Sequence, residues 1–149
     1  MTVPVSVMAS APVLAHHEIE IYAPAETVWD IHVHVNEWPS WQADIADAAL
    51  EGPFETGARF TWTSYGFTVT STVYSLDECA RILWGGTADG ITGIHEWTFR
   101  IIPRGVHVTT TESFSGPPVE ADAAALQELL DTSLVSWLAQ LKAEAEARD

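Results

Sequence analysis

The chain has 149 residues, 47% of them hydrophobic and 18% charged, which is enough to bury a sizeable core within one domain. Six basic against 21 acidic residues give a net charge of −15, which argues against nucleic-acid binding and against attraction to an anionic membrane surface. Lys142 is the only lysine and Cys79 the only cysteine, so a P-loop, an internal disulfide and a cysteine-based zinc site are excluded.

Residues 1–13 read as a loose N-terminal arm and residues 14–149 as a single domain. The arm lacks a basic start and contains Pro4 and Pro12, so no signal peptide is expected and a cytoplasmic location is. No apolar run approaches the ~20 residues of a membrane span, so no membrane insertion is expected. From Leu14 to Tyr22 the residues alternate as in a strand, with Ile19 and Ile21 on one face and Glu18 and Glu20 on the other. Pro24 suits the first turn of a helix running through Val28, Trp29 and Ile31. Residues 36–41 predict a second, very short helix capped by Asn36.

Six further strands follow: Ile45–Glu51, Ala58–Thr63, Phe67–Ser75, Ala80–Thr87, His95–Ile102 and Val106–Phe114. Their connections are short and carry turn residues such as Tyr65-Gly66, Asp89-Gly90 and Arg104-Gly105, which predicts a mostly antiparallel sheet. Cys79 lies beside Asp77 and Glu78, which disfavours its thiolate and predicts an inert thiol. Gly116-Pro117-Pro118 ends the last strand. Beyond it, Leu126, Leu130, Leu134, Trp137, Leu138 and Leu141 recur at helical spacing as one wide apolar stripe. Such a helix must bury its stripe, and the sheet is the available partner. The fold class is α+β.

These residues also carry a family resemblance. Residues 21–29 (Ile-Tyr-Ala-Pro-Ala-Glu-Thr-Val-Trp) resemble the strand-to-helix signature of the START-like, or SRPBCC, superfamily. So, in order, do Trp38-Pro39-Ser40-Trp41, Gly57-Ala58-Arg59-Phe60, Ile82-Leu83-Trp84, Trp97-Thr98-Phe99 and residues 111–116. The similarity spans residues 14–146 and points to bacterial polyketide cyclase/dehydrase and lipid-transport-like proteins. It implies a helix-grip fold, in which a seven-stranded sheet wraps the C-terminal helix around an internal cavity. It also implies a hydrophobic small-molecule ligand, which some members cyclise or dehydrate.

Strand parity then assigns the faces. His95, Trp97, Phe99 and Ile101 are expected inward, with Glu96 and Arg100 outward. A turn at Arg104-Gly105 would pair Ile101 with Val108, Phe99 with Thr110, Trp97 with Glu112 and His95 with Phe114. Phe60, Trp62 and Ser64 are placed inward, as are Phe67, Val69, Ser71 and Val73, then Ile82 and Trp84. Arg59, Arg81 and Arg100 all fall outward, a departure from aromatase/cyclases that carry an interior arginine. Without a buried cation an anionic ligand is disfavoured, and a neutral or amine-bearing one, aromatic or polycyclic to suit the tryptophan-rich walls, fits.

The expected ligand wall is Phe60, Trp62, Phe67, Val69, Ser71 and Trp84, continued by Trp97, Phe99, Thr110, Phe114, Leu130 and Leu134. Tyr65, Trp38 and Trp41 are placed at its mouth, whereas Trp29 and Trp137 are expected to serve packing alone. His95 and Glu112 are the candidate general acid–base pair. His32 and His34 read as solvated loop residues, and neither they nor His16-His17 have a metal-ligand spacing, so no metal and no cofactor are expected. Three functions remain open: a cofactor-independent cyclase or dehydratase, a non-catalytic carrier of an apolar molecule, and a protein-binding module of the chaperone-activator type. A monomer or homodimer is expected.

Overall fold

A computed structural model describes residues 3–148. The chain runs β1 (Val13–Ile21), α1 (Ala25–Val33), a 3-10 turn (Val35–Glu37), α2 (Trp38–Trp41) and β2 (Ile45–Leu50). It continues through β3 (Arg59–Ser64), β4 (Phe67–Asp77), β5 (Arg81–Ala88), β6 (Ile91–Ile102) and β7 (Gly105–Ser115), and ends in α3 (Pro117–Ala121) and α4 (Ala123–Ala147). The strands make one antiparallel seven-stranded sheet in the order β1-β7-β6-β5-β4-β3-β2. From β2 onward each strand pairs with its neighbour in sequence. Only the α1–α2 segment crosses from one sheet edge to the other.

Local rules account for most of these elements. In β1, Val13, Ala15 and Ile21 are buried while Leu14, His16, Glu18 and Glu20 are exposed, the alternation of a strand with one wet face. The α4 stripe divides its packing. Leu130 and Leu134 join Val13, Ala15 and Val119, while Trp137, Leu138, Leu141 and Ala145 join the larger core beneath α1 and α2.

Several expectations need correction. Asn36 caps no helix; its side-chain amide accepts from Leu50 N at 2.7 Å and donates to Leu50 O at 3.0 Å. It thus satisfies the end of β2, a sheet edge with no strand beyond it. Pro117 and Pro118 do more than end a strand: they open α3, at positions where the missing N–H costs nothing.

The β6–β7 register is displaced by two residues from the expected one. The hairpin turns on Pro103-Arg104, so Ile102 pairs with Gly105, Ile101 with Val106, Phe99 with Val108, Trp97 with Thr110 and His95 with Glu112. Proline's fixed φ favours the first position of a two-residue turn. A shift of two preserves every inward and outward assignment. Ile101 is nevertheless 75% exposed, because the helical layer covers this strand only as far as Phe99, whose ring meets Trp29 edge-on at 5.5 Å.

The arm is held at two points. Val5 O accepts from Arg81 Nη2 at 3.0 Å, and Met8 N donates to Ser113 Oγ at 3.0 Å. It crosses the outer face of the sheet from β5 to β7. Between the tethers, Leu83 and Ile94 are buried although parity turns them away from α4. Among the described residues, no helix is long and apolar enough to cross a membrane.

Candidate functional site

The expected aromatic chamber is largely solid. Trp38 meets Phe60, Trp62, Trp84 and Trp137 with ring centroids 5.4 to 6.1 Å apart, mostly edge-to-face, as ring quadrupoles favour. Trp38 is therefore not at a mouth: it is fully buried, and its Nε1 donates to His32 O at 2.9 Å. Trp41 packs half-buried on the same core and does not border the pocket. Phe60, Trp97, Phe99, Thr110 and Leu134 also face inward but pack into the core instead of bordering the pocket.

His32 is a second correction. It is fully buried, its ring tilted against Trp97 with centroids 4.6 Å apart, and neither ring nitrogen is hydrogen-bonded. It lies one turn beyond Val28 on the buried side of α1, which continues two residues past the expected Ile31. Burial lowers its pKa to about 3. His34 stays exposed, with its Nδ1 against Asp30 O, and does not border the pocket between the sheet and α4.

One pocket of about 130 Å³ remains between the sheet and α4. Of the residues expected there, Trp62, Tyr65, Phe67, Val69 and Ser71 line it from β3, β4 and their hairpin. Trp84, Glu112, Phe114 and Leu130 line it from β5, β7 and α4. Trp137, expected to serve packing alone, borders it as well. The sequence reading missed Gly85, Gly86, Ala88 and Gly93, and on α4 Leu129 and Ser133. The pattern that could have found them is the run of small residues at the paired ends of β5 and β6.

Glu112 is the one acidic or basic side chain among the lining residues. It is 8% exposed, and burial raises its pKa to about 8, because a charge in an apolar pocket loses its hydration. His95 sits behind it, fully buried and outside the pocket lining. Its Nε2 and Thr110 Oγ1 share a hydrogen bond of 2.6 Å, and its Nδ1 lies 3.3 Å from Glu112 Oε1, out of line for a hydrogen bond. Burial first, and the nearby His32 second, hold its pKa well below the usual value. Near neutral pH the pair is a protonated acid beside a neutral imidazole.

No arginine or lysine lines the pocket. Arg59 and Arg100 are exposed on the outer face. Arg81 binds Glu96 Oε2 through its Nε at 2.7 Å. At the mouth, burial and the Asp44 carboxylate raise the Tyr65 phenol above its usual range. Among the described residues, no group of three or more His, Cys, Asp or Glu could hold a metal ion. Burial and three nearby carboxylates push the Cys79 thiol up.

A seven-stranded antiparallel sheet closed on a long C-terminal helix, with two short helices after the first strand, defines the START-like helix-grip class. The chain belongs to the polyketide cyclase/dehydrase and lipid transport family, whose pattern it matches over residues 12–146. Solved structures agree on the fold. A hypothetical protein from Helicobacter pylori superposes with a TM-score of 0.80 at 19% identity, covering 97% of this chain and 99% of the other. A START superfamily protein from Mycobacterium smegmatis gives 0.78 at 14% identity, covering 91% and 99%. The Zhui aromatase/cyclase from Streptomyces sp. R1128 gives 0.76 at 20% identity, covering 91% and 94%. No curated protein matches the chain in sequence.

Proposed function

We propose that the protein binds a small neutral ring-bearing molecule in this pocket and acts on it as a cyclase- or dehydratase-like enzyme through Glu112. The observation that carries this reading is a carboxyl with its pKa raised to about 8 on an otherwise uncharged wall. A neutral carboxylic acid can give a proton and then take one back. Its Oε2 protonates a leaving hydroxyl of the ligand, which departs as water with the C–O electron pair. The same oxygen, now part of a carboxylate, accepts the proton of the adjacent carbon, the C–H electron pair becomes the new double bond, and Glu112 ends protonated as it began. His95 does not line the pocket and acts as a positioning residue on Oε1.

The pocket's size and charge narrow the ligand. Its volume of about 130 Å³ compares with the roughly 150 Å³ cavity that holds benzene in an engineered protein, so a single ring fills it. With no cation lining it, a carboxylate or phosphate would enter unpaired. One observation favours the carrier reading: only one member of the acid–base pair reaches the pocket.

The test is a panel of single-ring hydroxy-ketones followed by tryptophan quenching and product analysis, with laurate as an anionic control. Quenching by the neutral compounds but not by laurate is expected, with turnover falling ~10²–10⁴-fold in Glu112→Gln and affinity changing far less. Binding without turnover of any panel member leaves the carrier reading.

A further inference from the structure

Nine glycines are present in the chain, and eight have a backbone or steric reason to be glycine. Gly52, Gly57, Gly66, Gly90 and Gly116 have positive φ, which side chains disfavour. Gly85, Gly86 and Gly105 lie where a Cβ would approach a backbone oxygen to between 2.0 and 2.2 Å. Gly93 has neither constraint. The nearest atoms a Cβ there would meet are Glu112 Oε2 and the Phe114 ring, both at 3.4 Å and at the near limit of ordinary contact. Glycine inside a strand weakens it, so neither the backbone nor the packing calls for it at this position.

The missing side chain at Gly93 leaves space at one particular place. Gly93 is paired with Gly86 on β5 and with Phe114 on β7, so two adjacent central strands lack side chains at one level of the pocket wall. Glu112 Oε1 is turned toward His95 Nδ1, 3.3 Å away. Oε2 is the oxygen that faces the space at Gly93.

We propose that Gly93 determines the pocket's specificity: its absent side chain forms a notch against Glu112 Oε2 that admits the oxygen of a hydroxyl or carbonyl borne directly on a ligand's ring. The substrate class is then single-ring phenols, cyclic alcohols and cyclic ketones. This rests on the function proposed above and adds which end of the ligand enters first. The ring lies back among Trp84, Phe114, Leu130 and Trp137, which border the same space. A methyl group at position 93 fills the notch in ordinary contact with Glu112 Oε2 and the edge of the Phe114 ring.

The experiment compares wild type with Gly93→Ala at pH 6, where Glu112 is protonated, using phenol and benzene as probes by calorimetry. Wild type is expected to prefer phenol. In the variant that preference should fall about tenfold, the typical weight of one lost buried hydrogen bond, with benzene affinity little changed. Its Tm should rise, because a strand glycine has been replaced. A retained phenol preference overturns the proposal and leaves the proposed function standing. Equal losses for both probes also overturn it, since Gly93 would then act by volume alone. A lowered Tm or an unfolded variant overturns it by showing that the glycine is structural. Wild type that binds neither probe overturns the proposed function itself.

Discussion

His95 and Glu112 stand directly opposite each other on β6 and β7, with Nδ1 3.3 Å from Oε1, and burial drives their proton affinities apart. The carboxyl rises to about 8 while the imidazole falls well below its usual value. The proton therefore rests on the carboxyl, and the pair is neutral. Burying two neutral groups avoids the desolvation cost of a buried ion pair. It also leaves Glu112 able to donate.

If His95 positions Glu112, His95→Gln should lower turnover by about tenfold to a hundredfold, less than Glu112→Gln does. The double variant should be little worse than Glu112→Gln alone, because the two act as a unit. The pH dependence of kcat separates this from a merely structural role, since the apparent pKa assigned to Glu112 should move in His95→Gln. An unmoved profile with full activity would remove His95 from the mechanism.

Stability should depend on pH with opposed limbs. The His32 pKa is lowered from 6.5 to about 3, so between those values the unfolded chain binds more protons and stability falls as pH drops. His95, also lowered, acts in the same direction. Glu112 is raised from 4.5 to about 8, so the folded chain binds more protons in that window and stability falls as pH rises through it. Two histidines outweigh one carboxyl where the windows overlap, which places the optimum near about pH 6.5. From there to pH 8 the Glu112 contribution should cost about 2 kcal/mol. Urea midpoints across pH test this: Glu112→Gln should flatten the alkaline limb, and His32→Phe should shallow the acid limb.

Removing residues 1–11 should leave the sheet intact but uncover Leu83 and Ile94, which lie between the arm's tethers at Arg81 and Ser113. The expected result is a drop in Tm of several degrees, from about 1–2 kcal/mol of lost apolar burial, with increased binding of a hydrophobic dye. An unchanged Tm and no dye binding would show that the arm covers nothing of consequence.

The sequence alone determined the seven strands, the long C-terminal helix and the parity of their faces, because these follow from short-range periodicity. The alternation in β1 and the stripe from Leu126 to Leu141 are local patterns that tertiary packing had no reason to override. Even the two-residue error in the β6–β7 register left Glu112 and His95 facing inward, since the face depends only on parity. The tertiary structure decided which residues meet. His95 opposes Glu112 because the hairpin turns on Pro103-Arg104, and His32 is buried because α1 continues to Val33 and carries it onto the inner side, one turn beyond Val28. Whether an inward ring packs on its neighbours or borders a void was beyond any strand pattern. Trp38 and Trp97 are sealed by other rings, whereas Trp62 and Trp84 border open space where Gly86 and Gly93 lie side by side. A cavity is an absence summed over several strands and a helix, and no single segment encodes it.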